Sequence, residues 1–252
     1  MEHRNPCNHH IPWLRALWKI AFGDTDAFLD SFFGTAYSAH RCRCIFDGDF
    51  PAAVLYWFDC HLNSEKYAYI YAVATHPDYR GKGLCRSLMA DTHAILKNAG
   101  YAGAVLVPQK ESLRAMYAGM GYRDFGGLTE VAVQAGTAPV SLQAIGPEEF
   151  AALRRTRIPE NGILQEGENL RFLAQQMQFY AGEDFLMAAW SEDGVLHAAE
   201  YLGTAESIPG ILRAMAMSRG IFRMPGDTVP FAMFHPLAES VPQPEYFGFA
   251  FD

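Results

Sequence analysis

Arg80, Lys82 and Arg86 bracket two glycines in the run Arg80-Gly81-Lys82-Gly83-Leu84-Cys85-Arg86. Cations and glycines at this spacing suit the capture of an anion. Guanidinium and ammonium groups make charge-assisted hydrogen bonds of about 1.5–3 kcal/mol each. Glycine, with no Cβ, lets the backbone approach a ligand closely. A few such bonds would supply much of the roughly 8 kcal/mol that micromolar affinity requires. A helix starting at this run would add its first N–H groups and its dipole, and the site would then suit a phosphate.

The flanking residues supply that helix and the strand before it. Tyr67 to Thr75 alternates aromatic or β-branched residues with Ala and Ile, as a buried pleated strand does. Pro77 has no ladder donor and ends the strand. After the glycines, Leu84, Leu88, Ile95 and Leu96 recur at helical spacing, and Gly100 is a helix stop. Two common phosphate motifs are excluded. No Ser or Thr follows a Gly-Lys pair as a P-loop requires, and the three spaced glycines of a dinucleotide fold are absent.

Val73-Ala74-Thr75-His76-Pro77-Asp78-Tyr79 followed by Arg80-Gly81-Lys82-Gly83-Leu84-Cys85 resembles the strand, entry turn and pyrophosphate loop of the GNAT acyl-CoA N-acyltransferases. The loop pattern of that family is Gln/Arg-x-x-Gly-x-Gly/Ala, and Cys85 departs from it. The run from Ser112 to Tyr122, SLRAMYAGMGY, resembles the family's later motif, a helix ending in Tyr-x-x-x-Gly-aromatic. The resemblance covers about Leu14 to Gln134. It implies an α/β (α+β) GNAT fold, a mixed and largely antiparallel sheet flanked by helices. It also implies acetyl-CoA as cosubstrate, with no metal. By position, Val73, Ala74 and Thr75 would line the pantetheine arm, one N–H facing the thioester oxygen. Gly81, Gly83, Leu84, Cys85 and Arg80 would hold the diphosphate, with Lys82 and Arg86 facing the phosphates or solvent. Tyr117 stands where the family often has a tyrosine beside the CoA sulfur. A phenol near pKa ~10 can protonate a thiolate whose conjugate acid lies near ~8.5; packing against Met116 is the alternative reading.

Several residues could serve as the general base. Asp59, His61 and Glu111 are candidates, each equally an ordinary surface residue, and a water chain would need none of them. Some multi-domain relatives turn the chain's own terminal carboxylate into the site, which would make Asp252 a candidate. His76 in the entry turn reads as a surface histidine.

The chain has 252 residues, half of them hydrophobic, enough for one large or two small domains. A net charge of −8 argues against a general nucleic-acid binder. No apolar run is long enough to span a bilayer, and no secretory signal is evident. The polar start, MEHRNPCNHH, is expected to fray. Five scattered cysteines fit reduced thiols in a cytoplasm. Cys42-x-Cys44 with His40 and His61 lacks the second ligand pair of a zinc site, so no metal is expected.

Helices are expected over Ile11 to Phe22, Asp24 to Tyr37, Ser112 to Met120, Glu148 to Arg157, Asn169 to Tyr180 and Ile208 to Met217. Strands are expected over Arg43 to Asp47, Pro51 to Phe58, Ala102 to Val107, Leu128 to Gln134, Phe185 to Trp190, Val195 to Leu202, Phe222 to Met224, Thr228 to Phe234 and Tyr246 to Phe251. The linker Ala135 to Pro139 separates an acetyl-CoA-binding domain, 1–134, from a second domain, 140–252. The second half repeats the order helix, strand, Asp-Gly turn, strand, which suggests a divergent internal repeat. It lacks the basic glycine loop and should not bind a pyrophosphate.

The activity expected is acetyl transfer to a primary amine of a small molecule or peptide, with neither nucleic acid nor membrane as partner. Oligomeric state is open, a homodimer included. A non-catalytic acyl-CoA sensor or scaffold is the runner-up, and a nucleotide-binding module the third reading.

Overall fold

The computed structural model describes residues 1–250. The chain forms two compact units. The first holds Met1–Leu106, Lys110–Arg123 and Phe234–Val241; the second holds Val107–Gln109, Asp124–Met233 and the chain from Pro242.

In the first unit, strands β1 (Glu2–Arg4), β2 (Cys42–Asp47), β3 (Phe50–Leu62), β4 (Glu65–Thr75) and β5 (Gly103–Leu106) lie side by side in that order. β1 to β4 are antiparallel, and β5 runs parallel to β4. The end of a later strand, Phe234 to Pro236, flanks β5, and the Leu237 N–H donates to the Ala102 carbonyl at 2.9 Å. The helices are α1 (Ile11–Phe22), α2 (Asp26–Thr35), α3 (Leu84–Asn98) and α4 (Glu111–Ala118).

α1 forms because Leu14, Leu17 and Trp18 fall on one face and are buried, and Gly23 at φ 80° stops it. Trp18 meets Phe32 of α2 at 4.6 Å and Tyr56 of β3 at 5.2 Å between ring centroids. Each such burial contributes about 1.5–3 kcal/mol. α2 starts two residues later than expected. Thr25 is its cap, accepting the Phe28 N–H at 3.2 Å, while Asp24 accepts the Trp18 indole N–H at 2.7 Å. α4 starts at Glu111 with Lys110 as its cap position, so Ser112 lies inside the helix. The amino terminus does not fray: Glu2, His3 and Arg4 pair with Phe46, Ile45 and Cys44, and His10 is fully buried.

The second unit contains β6 (Arg123–Gln134), β7 (Gln143–Ile145), α5 (Pro147–Arg157), the two-residue β8 (Leu164–Gln165), α6 (Glu168–Leu173) and β9 (Gln178–Ala181). These are followed by β10 (Leu186–Glu192), β11 (Val195–Leu202), α7 (Ile208–Ala214), β12 (Arg219–Gly226) and β13 (Val229–Pro236), the last of which ends in the first unit. β7, β9, β10 and β11 are antiparallel neighbours, and β12 runs parallel to β11. This is the succession of β1 to β5, with paired helices after the first strand and one helix before the last. The repeat seen in the sequence is therefore a repeat of topology. β6 lies antiparallel to β12.

Two expectations fail in this unit. The helix over Asn169 to Tyr180 stops at Leu173, and Gln178 to Ala181 is strand β9. Pairing with β10 and the stacking of buried Phe179 on Phe150 at 4.3 Å override local propensity there. The final expected strand is not formed: Tyr246 makes a single bridge to Gly162, and Phe251 lies outside the described residues. Among the described residues no helix is long and apolar enough to cross a membrane.

Candidate active site

The site is prepared by an irregularity in β4. Val54 faces Ala74 and Tyr56 faces Tyr71, so Leu55 of β3 is opposed by two residues, Ala72 and Val73. Ala72 adopts a left-handed φ of 47°. This is a β-bulge, which leaves one residue out of the ladder and bends its strand. On its other side β4 pairs with β5 only from Tyr67 to Tyr69. Tyr71, Ala72 and Val73 are accordingly half-buried, whereas Tyr67 to Ile70 are buried. A parallel pair that parts in this way leaves backbone groups facing a cleft.

β4 then runs through Pro77 to Tyr79 into the glycine turn. Gly81 and Gly83 sit at φ 74° and 75°, and a Cβ on either would meet no atom within 4 Å. These glycines are required by backbone conformation, not by crowding. Gly83 is the cap position of α3 and has no side chain to satisfy the helix's first N–H groups. The three cations are held by carbonyls. Arg80 Nε donates to Thr75 O at 3.1 Å, Lys82 Nζ to Asp78 O at 3.0 Å, and Arg86 Nη1 to Gly119 O at 2.8 Å. A cavity of about 290 Å³ opens here, lined by Thr75, Tyr79, Arg80, Gly81, Gly83, Leu84, Cys85, Arg86, Met116 and Met120. Most of the expected cofactor residues meet at this cavity. Val73 and Ala74 lie upstream on the bulged segment, and Lys82 is on the loop outside the lining. Burial raises the Cys85 thiol above its ordinary pKa, against a smaller opposing pull from Arg86. Cys85 is thus a neutral part of the wall.

Replacing Gly83 by Ala should separate conformation from bulk. The left-handed backbone costs an ordinary residue about 1–2 kcal/mol, and the space is open. The expected result is an acyl-CoA affinity at least ~10-fold weaker for Gly83→Ala, with Gly83→Asn closer to wild type because Asn tolerates this region. Isothermal calorimetry distinguishes the two; equal affinities would refute the conformational role.

Tyr117 lies on α4 and is 7% exposed. It does not line the cavity, to which α4 contributes Met116 and the following turn Met120, and its ring is edge-on to Tyr122 at 5.8 Å. Burial first, then the nearby Cys85, raises its pKa above the ordinary phenol value, so it keeps its proton and can act only as a donor. Gly121, at φ 92°, turns the chain so that Tyr122 goes inward, and the Tyr122 hydroxyl lies 2.8 Å from His93 Nε2. His93 stacks on His235 at 4.3 Å. Burial and the second ring push the His93 pKa down to about 3.

The base candidates are not alike. Asp59 is already engaged: Tyr101 donates to it at 2.5 Å, and Lys66 and Arg41 lie 3.2 and 3.7 Å away. His61 is exposed on β3. Glu111 is exposed and 3.5 Å from Arg114. His76 accepts the Asp78 N–H at 3.4 Å within its turn. Asp252 lies outside the described residues. Cys42 and Cys44 are fully buried with sulfurs 4.0 Å apart, while His40 and His61 are exposed, so the four do not form a ligand set.

The corresponding turn of the second unit is built differently. α7 has seven residues with Pro209 in its first turn, and Glu206 precedes it. Proline removes an N–H donor, and the carboxylates of Glu206 and of Asp184, which accepts the Ser207 hydroxyl at 2.5 Å, oppose an anion.

Residues 4–125 match the family model of the acetyltransferase (GNAT) domain. No curated protein is significantly similar in sequence. Solved structures similar in fold include a GCN5-related N-acetyltransferase from Kribbella flavida, 17% identical with TM-score 0.71 over 94% of this chain and 72% of that one. A GCN5-related N-acetyltransferase from Anabaena variabilis is 13% identical with TM-score 0.73 over 94% and 73%. One from Sphaerobacter thermophilus is 12% identical with TM-score 0.56 over 96% and 97%. Bulge, glycine turn and uncapped helix all lie inside residues 4–125, the part of this chain that matches the GNAT acetyltransferase domain, and the fold is shared with GCN5-related N-acetyltransferases over nearly the whole chain.

Proposed function

We propose that this protein moves an acetyl group from acetyl-CoA to a primary amine of a small molecule or peptide by direct transfer. The observation that carries the reading is the run from the Ala72–Val73 bulge through Thr75 to the uncapped start of α3, with a cavity along its second half. A diphosphate on the Gly81–Arg86 N–H groups would lay the pantetheine arm toward the bulge. An N–H of Val73, Ala74 or Thr75 would then stabilise the oxyanion as it develops. The uncharged amine attacks the thioester carbon, a C–N bond forms, and the oxyanion collapses with C–S cleavage. The thiolate takes a proton from the Tyr117 hydroxyl, the new ammonium gives one to water, and the tyrosinate regains its proton from solvent. The location proposed is the cytoplasm, where thiols outside any disulfide, as all five cysteines are, stay reduced.

The test is thiol release from acetyl-CoA across a panel of amines. Turnover with at least one amine is expected, and Tyr117→Phe should lower kcat by roughly 100-fold or more while leaving acetyl-CoA affinity unchanged. Unchanged kcat in a folded variant would remove Tyr117 from the reaction. The engagement of Asp59 by Tyr101, Lys66 and Arg41 favours a second reading, a non-catalytic acyl-CoA sensor. Thermal stabilisation by acetyl-CoA without turnover of any amine would select it. Stabilisation by ATP alone would discard both.

A further inference from the structure

Cys7, His9 and His10 stand at the start of the chain, away from the glycine turn in sequence and unused by the chemistry above. Their ligand atoms lie within 4.8 Å of one another. Cys7 Sγ is 3.1 Å from His9 Nδ1 and 3.1 Å from His10 Nδ1. On the far side of both rings sits one carboxylate. His9 Nε2 is 3.2 Å from Asp49 Oδ2, and His10 Nε2 is 3.0 Å from Asp49 Oδ1.

That carboxylate decides the chemistry of the near side. An ionised carboxylate only accepts, so the ring nitrogens facing it carry hydrogen, and each neutral ring then presents its Nδ1 lone pair toward Cys7. Two imidazole lone pairs and a sulfur therefore converge, with the outer nitrogens oriented by a carboxylate, the arrangement that holds metal-binding histidines in place. A metal ion with Zn–S near ~2.3 Å and Zn–N near ~2.0–2.1 Å spaces its tetrahedral sulfur and nitrogen ligands by roughly 3.6 Å, so each sulfur–nitrogen pair, now at 3.1 Å, need only spread by about half an ångström.

The scaffold around them is fixed. β1 pairs with β2, and Asn5 Nδ2 donates to Ala39 O at 3.1 Å. His10 is fully buried, its ring 4.6 Å from that of Phe46. Arg4 Nη2 donates to Asp49 Oδ1 at 3.0 Å and stacks over Phe46. Cys7 and His9 are exposed, which leaves an entry path and an open fourth position. Without an ion the Cys7 backbone N–H donates to His10 Nδ1 at 3.0 Å, so the fold does not depend on metal.

We infer that Cys7, His9 and His10 form a binding site for a late first-row divalent cation of the zinc class, with Asp49 orienting both imidazoles from behind. Thiolate and imidazole donors select such ions over magnesium or calcium. Binding releases the thiol proton to solvent.

Cobalt(II) titration of reduced protein, with any polyhistidine tag removed, tests this. The expected result is one equivalent bound, with a thiolate-to-cobalt charge-transfer absorption that one equivalent of zinc bleaches. Cys7→Ser should abolish the band, whereas Cys42→Ser should keep it. Asp49→Asn should weaken binding 10- to 100-fold, as loss of an orienting carboxylate does. His9→Ala, at an exposed position, should weaken it at least as much, and circular dichroism reports whether each variant is folded. Absence of the charge-transfer band in wild type overturns the proposal, as does a band that survives in folded Cys7→Ser.

Discussion

Glu200→Ala is expected to destabilise the second unit by about 3–5 kcal/mol, the range for stranding one partner of a buried ion pair. Glu200 on β11 and Arg154 on α5 are 1% and 0% exposed. The pair is bidentate, with Arg154 Nε to Oε2 at 2.7 Å and Nη2 to Oε1 at 2.8 Å. The Tyr246 hydroxyl donates to Oε1 at 2.9 Å, and Arg154 Nη1 reaches Ile163 O at 3.3 Å. Removing the carboxylate leaves a buried guanidinium and a buried phenol without their main acceptor. Urea unfolding of wild type and variant measures the loss. Arg154→Met combined with Glu200→Leu removes both charges and should recover most of it. A single-variant loss under about 1 kcal/mol would show that water or another group takes over. Gly248→Ala should be nearly as damaging, since its Cβ would lie 1.7 Å from Glu200 Oε1.

The second large effect is acid sensitivity from His93. Its folded pKa is depressed to about 3, while an unfolded chain has histidine near 6.5. Between those values the unfolded chain binds the proton and the folded chain does not, so stability rises with pH across the window. The contribution is fully present above about pH 6.5 and fades as pH falls toward about 3. By pH 4 the stability lost amounts to roughly 3 kcal/mol. His93→Gln keeps a polar partner for Tyr122 and should flatten the profile by that amount. The groups facing His93 are His235 and Tyr122. Proton NMR of the folded protein reads the imidazole directly, and titration near pH 6–7 would contradict the prediction.

The glycine turn was readable because backbone chemistry narrows it to few residue types. A left-handed position before a helix favours Gly, so Gly81 and Gly83 announce themselves, and the apolar spacing of α3 follows. The bulge was not readable. Ala72 is no turn residue, and its φ is imposed by the ladder to β3, whose register is a property of two strands. The order at the amino terminus was hidden for a related reason: Glu2 to Arg4 is too short to show a period and exists only as a partner of β2. β9 was misread because Gln and Met suit a helix locally, while what makes it a strand is β10. The Glu200–Arg154 pair and the His93–His235 stack join residues far apart in the chain, and composition alone pairs no such groups.

The last strand's crossing from one unit to the other limits how the gene can be divided. A fragment ending at residue 134 would include every motif shared with the superfamily, yet would lack Phe234, whose ring fills the space above Gly103, 2.2 Å from where a Cβ would stand. It would also bare the outer edge of β5, an adhesive row of unpaired amides and carbonyls. Such a truncation should precipitate or swap strands between copies, and supplying the missing segment as a separate peptide should restore its solubility.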